Sequence, residues 1–203
     1  MNRNLRQEEK SLVLIKPDGV QRSLIGEIMK RYERTGLKLI ALKFFVPNKE
    51  QVKSHYLVFD GWLEDVGRKS IEAYKKKGIK PPYKEPKKVG MVVLKRLQDF
   101  MTAGPIIAMI WQGNESIGVI RKITGGTEPL SSDVGTIRGD FTIDSYSLAD
   151  IDDRAIRNLV HASGSVEEAE KEIKIWFNPK EIVKYRLIPE AILYDVNLDG
   201  IKE

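Results

Sequence analysis

Catalysis by this chain rests on a short list of side chains. Among its 203 residues are two histidines and no cysteine. Disulfides, thiolate metal sites and cysteine nucleophiles are therefore excluded, and imidazole chemistry falls to His55 or His161. His55 stands beside Tyr56 on an amphipathic stretch and is read as a structural or surface residue. His161 lies in Asn158-Leu159-Val160-His161-Ala162-Ser163-Gly164-Ser165, a polar turn whose small residues leave the ring accessible just before a helix begins. A helix N-terminus favours anions, so an imidazole there suits the acceptance of a phosphoryl group. A solitary histidine is more often structural, and only these surroundings argue otherwise.

A second set of residues suits anionic ligands. Lys16 follows an apolar run at a Pro17-Asp18-Gly19 turn, Arg121 precedes the pair Gly125-Gly126, and Arg138 sits in Gly135-Thr136-Ile137-Arg138-Gly139-Asp140. Arginine forks match phosphate oxygens, and hydroxyls such as Thr127 add neutral donors. Taken one by one these are ordinary surface charges; the glycines flanking Arg138 point instead to a constrained backbone. Other phosphate and nucleotide signatures are missing. The chain has no P-loop, no Gly-x-Gly-x-x-Gly, no protein-kinase catalytic motif and no Gly-x-Ser-x-Gly elbow. Zinc would find too few nitrogen and sulfur ligands.

Four segments in order, Lys16-Pro17-Asp18-Gly19-Val20-Gln21-Arg22, Gly126-Thr127-Glu128-Pro129, Gly135 to Phe141 and Asn158 to Ser163, resemble the nucleoside diphosphate kinase family over most of the chain, from about Ser11 to Tyr185. The resemblance implies a ferredoxin-like α+β fold, an antiparallel sheet with helices on one face, assembled as a homo-oligomer, hexamer or tetramer. It implies that His161 takes the γ-phosphate of a nucleoside triphosphate and passes it to a nucleoside diphosphate in ping-pong fashion. Lys16, Tyr56, Arg121, Thr127, Arg138 and Asn158 match the residues that hold phosphates and ribose. Glu172 matches the carboxylate that orients the histidine ring, and Ser163 the hydroxyl beside it. Mg²⁺ accompanies the nucleotide, bridging phosphates rather than sitting in a protein cage.

The chain departs from the family at several places. Gly164 stands where an acidic residue is common, and Ala162 where glycine is. Val93 is nearest to the position of the aromatic that stacks on the base. Insertions fall at about Gly61 to Gly90 and Ser145 to Asp153, and the C-terminal tail beyond Pro189 is longer.

The elements that must hold these groups can be read from spacing. Ser11 to Ile15 is a buried strand. From Ser23, Leu24, Ile25, Ile28, Met29 and Tyr32 recur at helical spacing up to Gly36, and Leu37 to Val46 makes a second strand. Asn48 caps a short helix carrying Val52 and Tyr56. Leu94 to Met101 is helical, Pro105 to Trp111 is a buried strand, and Ile117, Ile120 and Ile123 mark a helix followed by a polar loop reaching Gly139. Phe141 to Ile143 reads as a strand, Asp150 to Asn158 as a short helix, and Ile188 to Val196 as a last strand. Ser165 and Glu168 form a capping box for a helix with Val166, Ala169, Ile173 and Trp176 on one face.

Residues 1–203 are read as a single domain, with Gly61 to Gly90 as a solvated, partly helical excursion. Lys75, Lys76, Lys77, Lys84, Lys87 and Lys88 give that stretch its character. The charge balance is 34 Lys+Arg against 29 Asp+Glu, a net +5, which is compatible with anionic substrates. A nucleic-acid-binding reading would use those lysines, but only Tyr74 and Tyr83 are there for stacking, so nucleic acid is not expected as a partner. A sensor that has lost turnover would need damage to His161 or the arginines, and none is seen. Met1 to Lys10 is polar and no apolar run reaches membrane-spanning length, so a cytoplasmic protein with no membrane partner is expected.

Overall fold

The computed structural model describes residues 8–194. Four strands, β1 (Lys10–Ile15), β2 (Lys38–Phe45), β3 (Ile106–Gln112) and β4 (Val160–Ala162), form one antiparallel sheet in the order β2-β3-β1-β4. The two central strands are apolar at nearly every position, and Leu12 to Ile15 and Ile106 to Trp111 are all buried. A strand apolar on both sides of its pleat needs cover on both faces. Helices accordingly flank the sheet on both sides rather than on one.

The helices, in chain order, are α1 (Pro17–Gln21), α2 (Ile25–Glu33), α3 (Lys49–Tyr56), α4 (Trp62–Lys76), α5 (Pro86–Met101), α6 (Ser116–Thr124), α7 (Ile137–Phe141), α8 (Tyr146–Ile151), α9 (Val166–Trp176) and α10 (Glu190–Leu193). One core layer packs Val13, Ile15, Met109 and Trp111 against Ile28 and Tyr32 of α2 and Ile120 of α6. The other packs Leu12, Leu14 and Ile110 against Val52 of α3, Met101 of α5 and Trp176 of α9. Asn48 caps α3 by accepting from Gln51 N at 2.8 Å.

Several expectations are corrected. Phe141 to Ile143 is not a strand: Phe141 ends α7, which Thr136 caps through its hydroxyl. Asp150 to Asn158 is mostly irregular, because the helix begins earlier at Tyr146 under a Ser145 cap. The C-terminal segment is helical over Glu190–Leu193, and Asp195 and Val196 lie outside the described residues.

The stretch around Gly61 to Gly90 is two helices folded back on one another. A Cβ on Gly67 would collide with the Pro86 carbonyl, and one on Gly90 with that of Leu63, so both glycines permit a backbone-to-backbone crossing. The lysines are exposed as expected, but Gly67, Val89 and Gly90 are buried, so the segment is not wholly peripheral. Among the described residues no helix is long and apolar enough to cross a membrane.

Candidate active site

His161 lies on strand β4, not in a turn, and pairs across from Leu14. Directly opposed residues point to the same face, so the imidazole joins the layer of α3, α5 and α9. The entry to β4 is strained. Leu159 adopts φ +65, a conformation costing about 1–3 kcal/mol in a bulky residue. Asp18 Oδ2 accepts from Leu159 N at 3.0 Å, and Lys16 N donates to Leu159 O at 2.8 Å. The Lys16-Pro17-Asp18-Gly19 turn therefore grips the peptide two residues before His161.

Glu172 projects from α9 beneath the ring. Its Oε1 lies 2.8 Å from His161 Nε2, and its Oε2 accepts from Ser163 Oγ at 2.6 Å. Nε2 is buried and makes no hydrogen bond of good geometry, so its 2.8 Å approach to Glu172 is a close contact of a neutral ring in this state. Ser163 is fully buried and also accepts from Leu12 N at 3.1 Å; it faces Glu172, not the cavity. Burial pushes the Glu172 carboxyl upward, opposed by His55 and the Ser163 hydroxyl.

His55 is no surface residue. It is 2% exposed, its ring centroid lies 4.3 Å from that of His161, and Trp176 Nε1 donates to its Nδ1 at 3.2 Å. The indole can only donate, so His55 Nδ1 is unprotonated, and its 3.4 Å approach to Glu172 is not an ion pair. Burial, followed by His161, holds His55 at about 3. Burial and then Lys16 push His161 well below the usual imidazole range. Both rings are neutral at neutral pH.

Around His161 the cations converge on a cavity of about 620 Å³, lined among others by Lys16, Tyr56, Arg121, Thr127, Asn158 and His161. Lys16 Nζ donates to Asn158 Oδ1 at 2.6 Å, and Asn158 Nδ2 donates to Thr127 O at 2.8 Å. Burial, with Arg138 adding repulsion, lowers Lys16 to about 7. Arg138 also lines the cavity, but its guanidinium is largely spent on backbone. Nε donates to Asn158 O at 3.1 Å, Nη1 to Gly125 O and Gly126 O at 3.0 Å each, and Nη2 to Val160 O at 2.5 Å. Arg121, by contrast, is exposed and makes no ion pair with any described residue.

The family model described as nucleoside diphosphate kinase matches residues 9–61 and 68–182. The chain belongs to the nucleoside diphosphate kinase family. The nucleoside diphosphate kinase of Pyrobaculum aerophilum is 43% identical over 180 residues, 87% of this chain and 98% of the relative. Human nucleoside diphosphate kinase B is 36% identical over 187 residues, 92% of this chain and 97% of that one. A crystal structure of an NDP kinase from Pyrobaculum aerophilum superposes with a TM-score of 0.85 at 40% identity, covering 87% of this chain and all of that one. A transition-state mimic of the Borrelia burgdorferi enzyme, with bound vanadate and ADP, gives 0.75 at 34% identity, covering 91% and 96%.

Seven of the nine site residues read from the sequence, Lys16, Tyr56, Arg121, Thr127, Arg138, Asn158 and His161, line one cavity; Glu172 and Ser163 stand behind it. Val93 also lines it, together with Tyr146 and Tyr74, aromatics that the sequence reading did not place there. Asp18 was missed as well, although its place in the turn after a strand was a usable signal. At Gly164 the departure from the family is filled from another position. Glu168 Oε2 accepts from Gly164 N at 2.5 Å, and a Cβ on Gly164 would collide with it. The capping box is thus half formed: Ser165 Oγ accepts from Glu168 N at 3.1 Å, while Glu168 turns to Gly164 instead of to Ser165 N.

The donor set bears on the metal. His55, His161 and Glu172 hold potential ligand atoms within 4.8 Å of one another. Two imidazoles and one engaged carboxylate do not suit a hard cation that prefers several oxygens. The phosphate end is otherwise cationic, with Glu168 the carboxylate in its wall. Among the described residues this arrangement does not suit a resident Mg²⁺.

Proposed function

We propose that this chain transfers the γ-phosphate of a nucleoside triphosphate to a nucleoside diphosphate through His161 Nδ1. The observation that carries this reading is the contact of His161 Nε2 with buried Glu172, which leaves Nδ1 as the nitrogen for the cavity. The Nδ1 lone pair attacks the γ-phosphorus as the bond to the β-phosphate oxygen breaks, and the diphosphate leaves. The ring then carries positive charge, which Glu172 at 2.8 Å offsets. A second diphosphate takes the phosphoryl group in the reverse step.

Phosphoryl transfer asks chiefly for positioning and charge neutralisation. Lys16, Arg121 and the remaining Arg138 N–H supply cations, and Asn158 fixes Lys16. Mg²⁺, as part of the substrate, spreads charge between phosphates. The neutral ring is the nucleophilic form. Val92, Val93, Leu97 and Ile156 give the cavity an apolar end for a base without demanding one base over another.

The same reading takes residues 1–203 as one catalytic domain in the cytoplasm, acting on nucleotides and associating with copies of itself. Strand β2 lies at the sheet edge with Leu42 and Phe44 exposed and Val46 exposed just beyond it, an apolar surface that favours self-association. The reading is tested by incubation with γ-labelled ATP and Mg²⁺. Acid-labile, base-stable label on the parent and none on His161→Gln is the expected outcome; turnover by the purified variant beyond traces overturns it.

A further inference from the structure

Two segments beyond the strands and loops that carry Lys16, Arg138 and His161 also wall the cavity. One is the α4–α5 hairpin, whose Tyr74 and Arg96 line the cavity; the other is residues 145–153, containing α8, whose Tyr146, Ala149 and Asp150 line it from across. The second segment has the form of an Ω-loop, a compact loop whose ends lie together. Its neck is stitched by Arg154, whose Nη1 and Nη2 donate to Asp144 Oδ2 and Oδ1 at 2.7 and 2.9 Å. Asp144 Oδ2 also accepts from Arg157 N at 2.6 Å. Between those ends Ala149 is buried inward while Ile151 points outward, and Asp153 sits at φ +50.

The body of the loop is fastened to the hairpin by charge. Lys77 Nζ donates to Asp150 Oδ2 at 2.8 Å, Arg96 Nη1 lies 3.9 Å from Asp150 Oδ1, and Arg96 Nη2 pairs with Asp153. The hairpin itself cannot give way easily, since Leu94 and Met101 anchor α5 in the core and the Gly67 and Gly90 crossing locks α4 to it. Of residues 145–153 only Ala149 is buried, so the loop is the partner less anchored in the core.

We propose that residues 145–153 form a flap over the nucleotide cavity, hinged at the Asp144–Arg154 neck and latched to the hairpin by Lys77 and Arg96, and that unlatching sets the rate of nucleotide release. A latch of partly exposed ion pairs is weak and salt-sensitive, which suits a gate that must open in each half-reaction. The inference rests on the proposed function only in taking the cavity as the nucleotide site.

The test is stopped-flow release of a fluorescent adenosine diphosphate from the parent, Lys77→Met and Asp150→Asn. Losing one or two such pairs should speed release about three- to tenfold at low salt. Added salt should accelerate the parent more than either variant. Labelling of His161 by phosphoramidate, a donor with no base, should be the same in parent and Lys77→Met. Lys77 is exposed and outside the cavity lining, so that variant keeps the test open if Asp150→Asn fails to fold. Equal release rates and equal salt slopes in parent and Lys77→Met overturn the flap. Absence of label at His161 in the parent counts against the proposed function instead.

Discussion

The two ends of the cavity are built on opposite plans. At the phosphate end each polar group is fixed by another: Lys16 by Asn158, Asn158 by Thr127, Arg138 by four carbonyls, Glu172 by Ser163. At the outer end apolar helix faces meet and a few partly exposed ion pairs close them. A transferring phosphoryl group needs charges held within fractions of an ångström. A base that need only be sheltered, and that must leave after each half-reaction, needs walls that can part. Order at one end and looseness at the other follow from what each end does.

The two arginines sharpen this contrast most. Arg138→Ala removes bonds to four backbone carbonyls, so it should lower both stability and kcat/KM. Leaving those carbonyls without a donor costs at least about 3 kcal/mol. Arg121→Ala should lower kcat/KM by about ten- to a hundredfold with little change in melting temperature, since its side chain is exposed and makes no ion pair with any described residue. Chemical denaturation and steady-state kinetics on both variants check this. Equal melting temperatures would break the distinction.

Glu172→Gln should act on kcat more than on KM, by about tenfold or more, because Glu172 meets the ring rather than the substrate. His55→Ala, expected from sequence to be silent, should now lower kcat as well, because it opens a void 4.3 Å from the catalytic ring. A change confined to KM in either variant would contradict these placements.

The pH dependence follows from Lys16. Its folded pKa of about 7 lies below the ordinary lysine value of 10.5, so between these limits the unfolded chain binds more protons and stability rises with pH. Phosphate beside Lys16 favours its charged form, so nucleotide binding should take up a proton above pH 7 and weaken as pH rises. Binding enthalpies measured in buffers of different ionisation heat would reveal the uptake; none near pH 8 would show Lys16 charged beforehand. The smallest effect belongs to the outer end: Tyr146→Phe should change nucleotide KM by only a few-fold and leave His161 labelling intact.

Legibility in the sequence divides along the same line. The phosphate end could be read because its chemistry needs particular residue types at fixed places along short motifs, as in Lys16 to Gly19 and Asn158 to Ser163. The strands were legible because Leu12 to Ile15 and Ile106 to Trp111 are uninterrupted apolar runs. What escaped depends on contacts between distant segments. His55 meets His161 only because α3 and β4 lie on the same face of the sheet, and Glu168 fills the place at Gly164 only through the first turn of α9. The lysine run suggested a solvated excursion because its charges mask the small and apolar residues, Gly67, Val89 and Gly90, that pack the hairpin. The loop before His161 misled because its helix at Tyr146–Ile151 is capped by Ser145, a signal outweighed by the acidic stretch after it.

The central claim is that Glu172 holds one nitrogen of His161 and leaves the other to the phosphate. Its most direct test is to phosphorylate ¹⁵N-histidine-labelled protein with ATP and Mg²⁺ and read the phosphorus–nitrogen coupling by NMR. Phosphate on Nδ1 of His161, with Nε2 protonated toward Glu172, is the predicted result. Phosphate on Nε2, on His55 or on Ser163 would contradict the account.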